Sequence, residues 1–117
     1  MKINEFLSYL FEVEVNSHIY HLQTRSLAEH LATNELYTGI VAHRDALAEA
    51  YQGQFGIIVG YSPIKVKEGI DIKVYLNMCI KDCKEFRSTL TEGYLQQLVD
   101  NIIEFFYGIL YKLRFLS

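Results

Sequence analysis

Apolar residues recur along most of this chain at the three-to-four spacing that gives an α-helix one buried face. Phe6, Leu7, Leu10, Phe11, Ile19 and Leu22 keep that spacing over residues 4–23, with Asn4 in position to cap the start. Ser26-Leu27-Ala28-Glu29 has the form of a capping box and opens a second helix. Its apolar face, Leu27, Leu31, Leu36, Ile40, Val41 and Leu47, continues to Gln52, and Gly53 is expected to end it. A third stripe, Ile72, Tyr75, Leu76, Cys79, Ile80, Cys83 and Phe86, predicts a helix over 70–88. A fourth helix is expected from just after Thr91 to about residue 115, on Leu95, Leu98, Val99, Ile102, Ile103, Phe106, Ile109, Leu110 and Leu113.

Residues 53–69 break the pattern. Three glycines beyond Gly53, the only proline and a β-branched run predict an irregular or extended connection. The flanking turns, at 24–26 and 89–91, are short enough to make two antiparallel helical hairpins. The middle connection has roughly 17 residues and reaches about 55 Å when extended. A helix of about 26 residues is only about 39 Å long. The connection can therefore span the bundle and set the second and third helices parallel. An up-and-down bundle is also permitted, but it rarely needs so long a loop. The expected fold is all-α, a single four-helix-bundle domain over residues 1–117.

Composition narrows the choice of function. Half of the residues are hydrophobic and the net charge is -3, which disfavours disorder and unspecific binding to nucleic acid or anionic membranes. Acidic residues follow the N-terminus too closely for a signal peptide, and Asp100, Glu104 and Lys112 interrupt the longest apolar stretches. A cytoplasmic protein with no membrane partner is expected. Cys79 and Cys83 lie one helical turn apart without further ligands nearby, and are read as reduced, partly buried thiols. The nine tyrosines are explained by packing and interfaces as readily as by redox chemistry.

All four histidines fall within residues 18–43. His18 and His21 are three apart on the first helix, with Glu14 on the same stripe. His30, His43, Asp45 and Glu49 lie on the second helix, where Asp45 and Glu49 project to a common side. His21 and His30 are about equidistant from the short turn, so an antiparallel hairpin sets them level. Asp45 lies about 22 Å further along the second helix than His30, too far for one chain to gather all four groups. A two-fold pairing of that helix with its mate in a second copy would bring His21 and His30 to the other chain's Asp45 and Glu49, making two identical sites. Mixed nitrogen and carboxylate ligands suit iron, with zinc as a competitor.

The order of these residues resembles that of the Dps-type miniferritins, in the ferritin-like superfamily. Those proteins carry a ligand histidine near the end of helix A. A helix B histidine follows, then an aspartate fifteen residues on and a glutamate four further. Here His21, His30, Asp45 and Glu49 match, and Asn34-Glu35-Leu36-Tyr37 is similar to the family's Glu-Leu-Tyr segment. The resemblance covers about residues 5–52. It implies a ferritin-like bundle with a long B–C crossover. It also implies ferroxidase activity on ferrous iron (Fe2+ to Fe3+) for iron storage and oxidative protection, with those four residues as ligands and catalytic groups. His18 and His43 become auxiliary metal-binding residues. The implied assembly is a homo-oligomer built on two-fold helix B dimers, in the family a twelve-subunit shell.

Several positions depart from the family. The turn between the first two helices is shorter, Leu22 stands for a frequent tryptophan and Asn34 for a frequent aspartate. No lysine-rich tail precedes the first helix, so DNA binding is not expected. Asp100 and Glu104, one turn apart on the fourth helix, have no histidine partner and are expected to be solvated. A second class of function stays open: a non-catalytic helical bundle acting as an assembly or adaptor protein, since fold alone does not carry function.

Overall fold

Four helices form in the computed structural model, which describes residues 1–117. They are α1 (Ile3–Gln23), α2 (Leu27–Phe55), α3 (Ile72–Arg87) and α4 (Gly93–Phe115). The sequence pattern located all four, and the differences sit at their ends. α1 begins one residue before Asn4, where the Glu5 carboxylate accepts from the Lys2 N–H at 2.8 Å. Asn4 does not cap the helix; its side chain donates to the Gly60 carbonyl at 2.7 Å. Ser26 does cap α2, accepting from the Glu29 N–H at 3.2 Å. The Glu29 carboxylate accepts from the Thr24 hydroxyl at 2.6 Å, so the cap extends into the turn. Gly53 stays helical, and α2 ends at Gly56, whose φ of 95° suits a residue without a Cβ. Asp71 caps α3 by accepting from the Lys73 and Val74 N–H groups.

The buried faces meet in one core. Every residue of the expected α3 stripe is buried, and so are Leu95, Val99, Ile102, Phe106, Ile109, Leu110 and Leu113 of α4. Phe6 of α1 stacks on Phe86 of α3 with ring centroids 4.1 Å apart. Between α2 and α4, Gly39 leaves room for the Phe105 ring, from which a Cβ would stand 2.6 Å. The faces of α1 and α2 depart from expectation near the turn that joins them. Leu22, Leu27 and Leu31 are 71%, 72% and 60% exposed. Their places on the inner face are taken by polar groups, with Asn16, Ser17, His21 and Thr33 buried there.

The connection from residue 56 to 71 has no helix or strand, as its glycines and proline predict. Extended backbone without a ladder partner must find hydrogen bonds elsewhere, and α1 supplies them. Asn4 donates to the Gly60 carbonyl, Ser8 Oγ accepts from Ser62 N–H at 2.8 Å, and Glu12 accepts from Lys65 N–H at 3.0 Å. Asn16 serves two backbone groups of the connection, donating to the Lys65 carbonyl at 3.1 Å and accepting from Lys67 N–H at 2.9 Å. Gln23 closes the series by donating to Glu68 at 2.6 Å. The connection thus climbs alongside α1 from its first turn to its last.

Asn16 is fully buried and satisfies two backbone groups at once, so its loss strands both. Asn16→Ala is expected to destabilise the protein by about 2–4 kcal/mol, measured by urea unfolding. Asn77→Ala removes only an exposed bond to Lys73 within α3 and is expected to change stability by less than about 0.5 kcal/mol.

Candidate functional site

Where α1 ends and α2 begins, the short turn sets His21 and His30 face to face. Their rings stack with centroids 3.7 Å apart and planes 21° from parallel. Each ring bonds the other residue's backbone: His21 Nδ1 lies 2.6 Å from the His30 carbonyl, and His30 Nδ1 lies 2.9 Å from the His21 carbonyl. A carbonyl oxygen only accepts, so in both residues Nδ1–H is the donor. In the neutral ring, Nε2 then keeps its lone pair. This is the tautomer in which metal-binding histidines are commonly held, with the far nitrogen fixed by a backbone carbonyl. Tyr37 buttresses the pair edge-on to His21 at 5.2 Å, and stacks flat on the exposed His18 at 3.8 Å. The Tyr37 hydroxyl donates to Asn34 at 3.0 Å.

The other expected ligands lie elsewhere. His43 packs against α4, with its ring 4.9 Å from Phe105. Burial lowers its pKa, and nearby Glu104 offsets part of the shift. Asp45 and Glu49 are exposed on α2. Within one chain, no group of three or more His, Cys, Asp or Glu residues is placed to hold a metal ion. His21 and His30 are together; Asp45 and Glu49 are not with them.

Asp45 has a neighbour that the sequence reading missed. Arg44 is 6% exposed, with its guanidinium carbon 3.9 Å above the Phe11 ring. It pairs with the Glu14 carboxylate of α1, and its Nε and one terminal nitrogen both lie 3.2 Å from Asp45 Oδ1. A signal was present: Arg44 falls in helical register with Leu36, Ile40 and Leu47, all buried, and a charge on such a stripe needs a partner. Asp100 also differs from expectation. It is not simply solvated, because Arg87 donates to both its oxygens at 2.5 and 3.2 Å.

Cys79 and Cys83 are free thiols on the buried face of α3. Burial pushes Cys79 up to about 12 and raises Cys83 as well. The hydroxyl of Tyr9 is buried beside Cys79 without a hydrogen-bond partner, and burial first, then Cys79, raises its pKa. These groups are suited to packing and not to nucleophilic chemistry.

Fold and site together define a four-helix bundle with a carbonyl-clamped histidine pair at one end. No helix is long and apolar enough to cross a membrane. Residues 21–113 match a family described as a family of unknown function (DUF5856), and the chain belongs to that family. No curated protein and no solved structure matches the chain.

The Cys79 thiol has a checkable linkage. Below its ordinary value of 9.0 it is protonated whether folded or unfolded, so its contribution to stability is fully present. As pH rises from 9.0 toward about 12, only the unfolded chain ionises, and that contribution is lost. Unfolding free energies at about pH 8 and about pH 10.5 should therefore fall with pH, and Cys79→Ala should reduce the drop by about 1–2 kcal/mol.

Proposed function

We propose that this chain is a ferritin-like bundle that oxidises ferrous iron at sites shared between two copies. The reading makes it a ferroxidase of the Dps type, serving iron storage and oxidative protection. His21 and His30 of one copy and Asp45 and Glu49 of the other hold the iron, which is the substrate. The observation that carries the reading is the reciprocal histidine clamp, which frees both Nε2 atoms for a metal and fixes both rings. Each ferrous ion gives one electron to oxygen or peroxide. The chain's part is to bind the ion, orient it and leave positions open for the oxidant. His18, stacked on Tyr37, sits beside the pair as an auxiliary residue; His43, against α4, is too remote for that part within its own chain.

Two further observations support the topology and the pairing. Contacts from α2 to α4 (Gly39 with Phe105, Glu35 with Lys112) and from α3 to α4 (Arg87 with Asp100, Lys84 with Tyr107) both fall along one helix as they rise along α4, so each helix is antiparallel to α4. They favour parallel α2 and α3 joined by a long crossover, the ferritin-like arrangement. A two-fold axis that sets His30 against Asp45 passes near Thr38. The exposed residues there, Asn34, Thr38 and Ala42, are small enough for two helices to approach closely.

The alternative, a non-catalytic assembly or adaptor bundle, has one observation in its favour. Asp45 is already engaged by Arg44 within its own chain. Metal analysis of the purified protein separates the two readings: the adaptor takes up no stoichiometric iron or zinc.

The shared site has a direct test. His30→Ala and Asp45→Asn are each expected to lower ferrous oxidation at least about tenfold, followed by absorbance near 300 nm, because each removes one ligand from every site. When the two variants are dissociated and mixed, a dimer of one of each carries both lesions in one site and leaves the other intact. Mixing should restore part of the activity. No recovery despite proven subunit exchange argues against shared sites, and unchanged oxidation in both single variants rejects the site. Asp100→Asn, which touches only the Arg87 pair, is expected to leave oxidation at the wild-type rate.

A further inference from the structure

The carboxylate of Asp45 is not a free surface group. Both contacts from Arg44, through Nε and one terminal nitrogen, go to the same oxygen, Oδ1, each at 3.2 Å. Oδ2 has no partner within the chain. Arg44 is itself packed in place: its side chain is 8% exposed, lies on Phe11 and pairs across the helices with Glu14. A guanidinium alone beside Asp45 would repel any cation the carboxylate was meant to bind. Glu14 supplies one negative charge to the same guanidinium, so the pair as a whole is neutral while its N–H groups still point at Asp45.

We propose that Arg44 and Glu14 form a charge-neutral clamp that fixes the Asp45 carboxylate through one oxygen and keeps the other available to a divalent cation. Arg44 is a positioning residue, and Glu14 cancels the charge that positioning would otherwise bring. The inference rests on the reading of Asp45 as a ligand of ferrous iron. It assigns a role to two residues outside the ligand set, on the helix pair that also carries the histidines. The arrangement has a physical logic. A carboxylate on an exposed helix face loses rotamer freedom when it takes a metal, and a rigid neighbour removes that freedom beforehand.

The charge part of the proposal separates from any general structural role. In Glu14→Gln the guanidinium stays buried with only Asp45 left to offset its charge. A unit charge about 6 Å from a divalent ion in a water-like medium weakens binding roughly tenfold. Ferrous iron titrated into the metal-free protein under argon, followed by calorimetry, is expected to bind about tenfold more weakly to Glu14→Gln than to wild type. The deficit should shrink as salt is raised from about 0.05 to about 0.5 M, because screening acts on charge and not on packing. Removing the cation as well, in Glu14→Gln/Arg44→Met, should restore most of the lost affinity. Thermal melts of the metal-free proteins check that each variant is folded at the assay temperature. If Glu14→Gln is not, Arg44→Met is compared with the double variant. It keeps the Glu14 charge without the guanidinium and is expected to bind more tightly. Equal affinities across the folded variants, or a deficit that salt leaves unchanged, overturns the clamp while leaving the iron site standing. Absence of binding to the wild type overturns both, and is visible before any variant is made.

Discussion

An extended segment lying on a helix has no ladder to join, and every N–H and C=O it turns inward must be met by a side chain. Here α1 meets them with Asn4, Ser8, Glu12 and Asn16, each four residues after the last. That polar stripe fixes the course of the connection. The course in turn decides where α3 begins, and therefore how the α3–α4 hairpin lies against the α1–α2 hairpin. The core itself is ordinary in composition, and many bundles could be built from such stripes. What selects this one is a set of hydrogen bonds between a helix and a segment that is neither helix nor strand.

The same partition of α1 explains the candidate site. Toward its C-terminal end the inward positions turn from Phe and Leu to Asn16, Ser17 and His21. Leucines near the turn are displaced to the surface, and the two histidines close the end of the bundle by bonding each other's main chain. The clamp thus has a structural part, tying the helix ends together, and leaves on each ring one nitrogen with nothing asked of it by the fold. Half a bundle length away, Arg44 performs a comparable double duty, filling a core position with its stem and Phe11 contact while its polar end reaches the surface carboxylates.

Helix number, the buried faces of α3 and α4, and the irregular connection were legible because each rests on periodicity or on glycine and proline, which are local signals. The level meeting of His21 and His30 was also legible, since it needs only the length of a turn. Three features were not. Asn4 reads as a cap until the connection that claims it is known. Leu22, Leu27 and Leu31 fit an apolar stripe, and only the third dimension shows that His21 and Thr33 occupy the interior beside them. Arg44 keeps helical register with buried Leu36, Ile40 and Leu47, but the partner its charge needs, Glu14, lies thirty residues earlier on another helix. In each case the deciding contact is between different elements, which the pattern within one helix does not identify.

The dependence of the connection on α1 has a consequence for how the chain acquires its shape. During synthesis α1 and α2 emerge first, and their hairpin needs only nearby residues to form. The side chains that receive residues 60–68 therefore leave the ribosome before those residues do. Each new hydrogen bond along α1 then shortens the remaining loop that must be closed, so the entropy of the long connection is surrendered in small steps. A circularly permuted chain in which α1 was translated last would face the opposite order, with an apolar, unpaired segment waiting for its template.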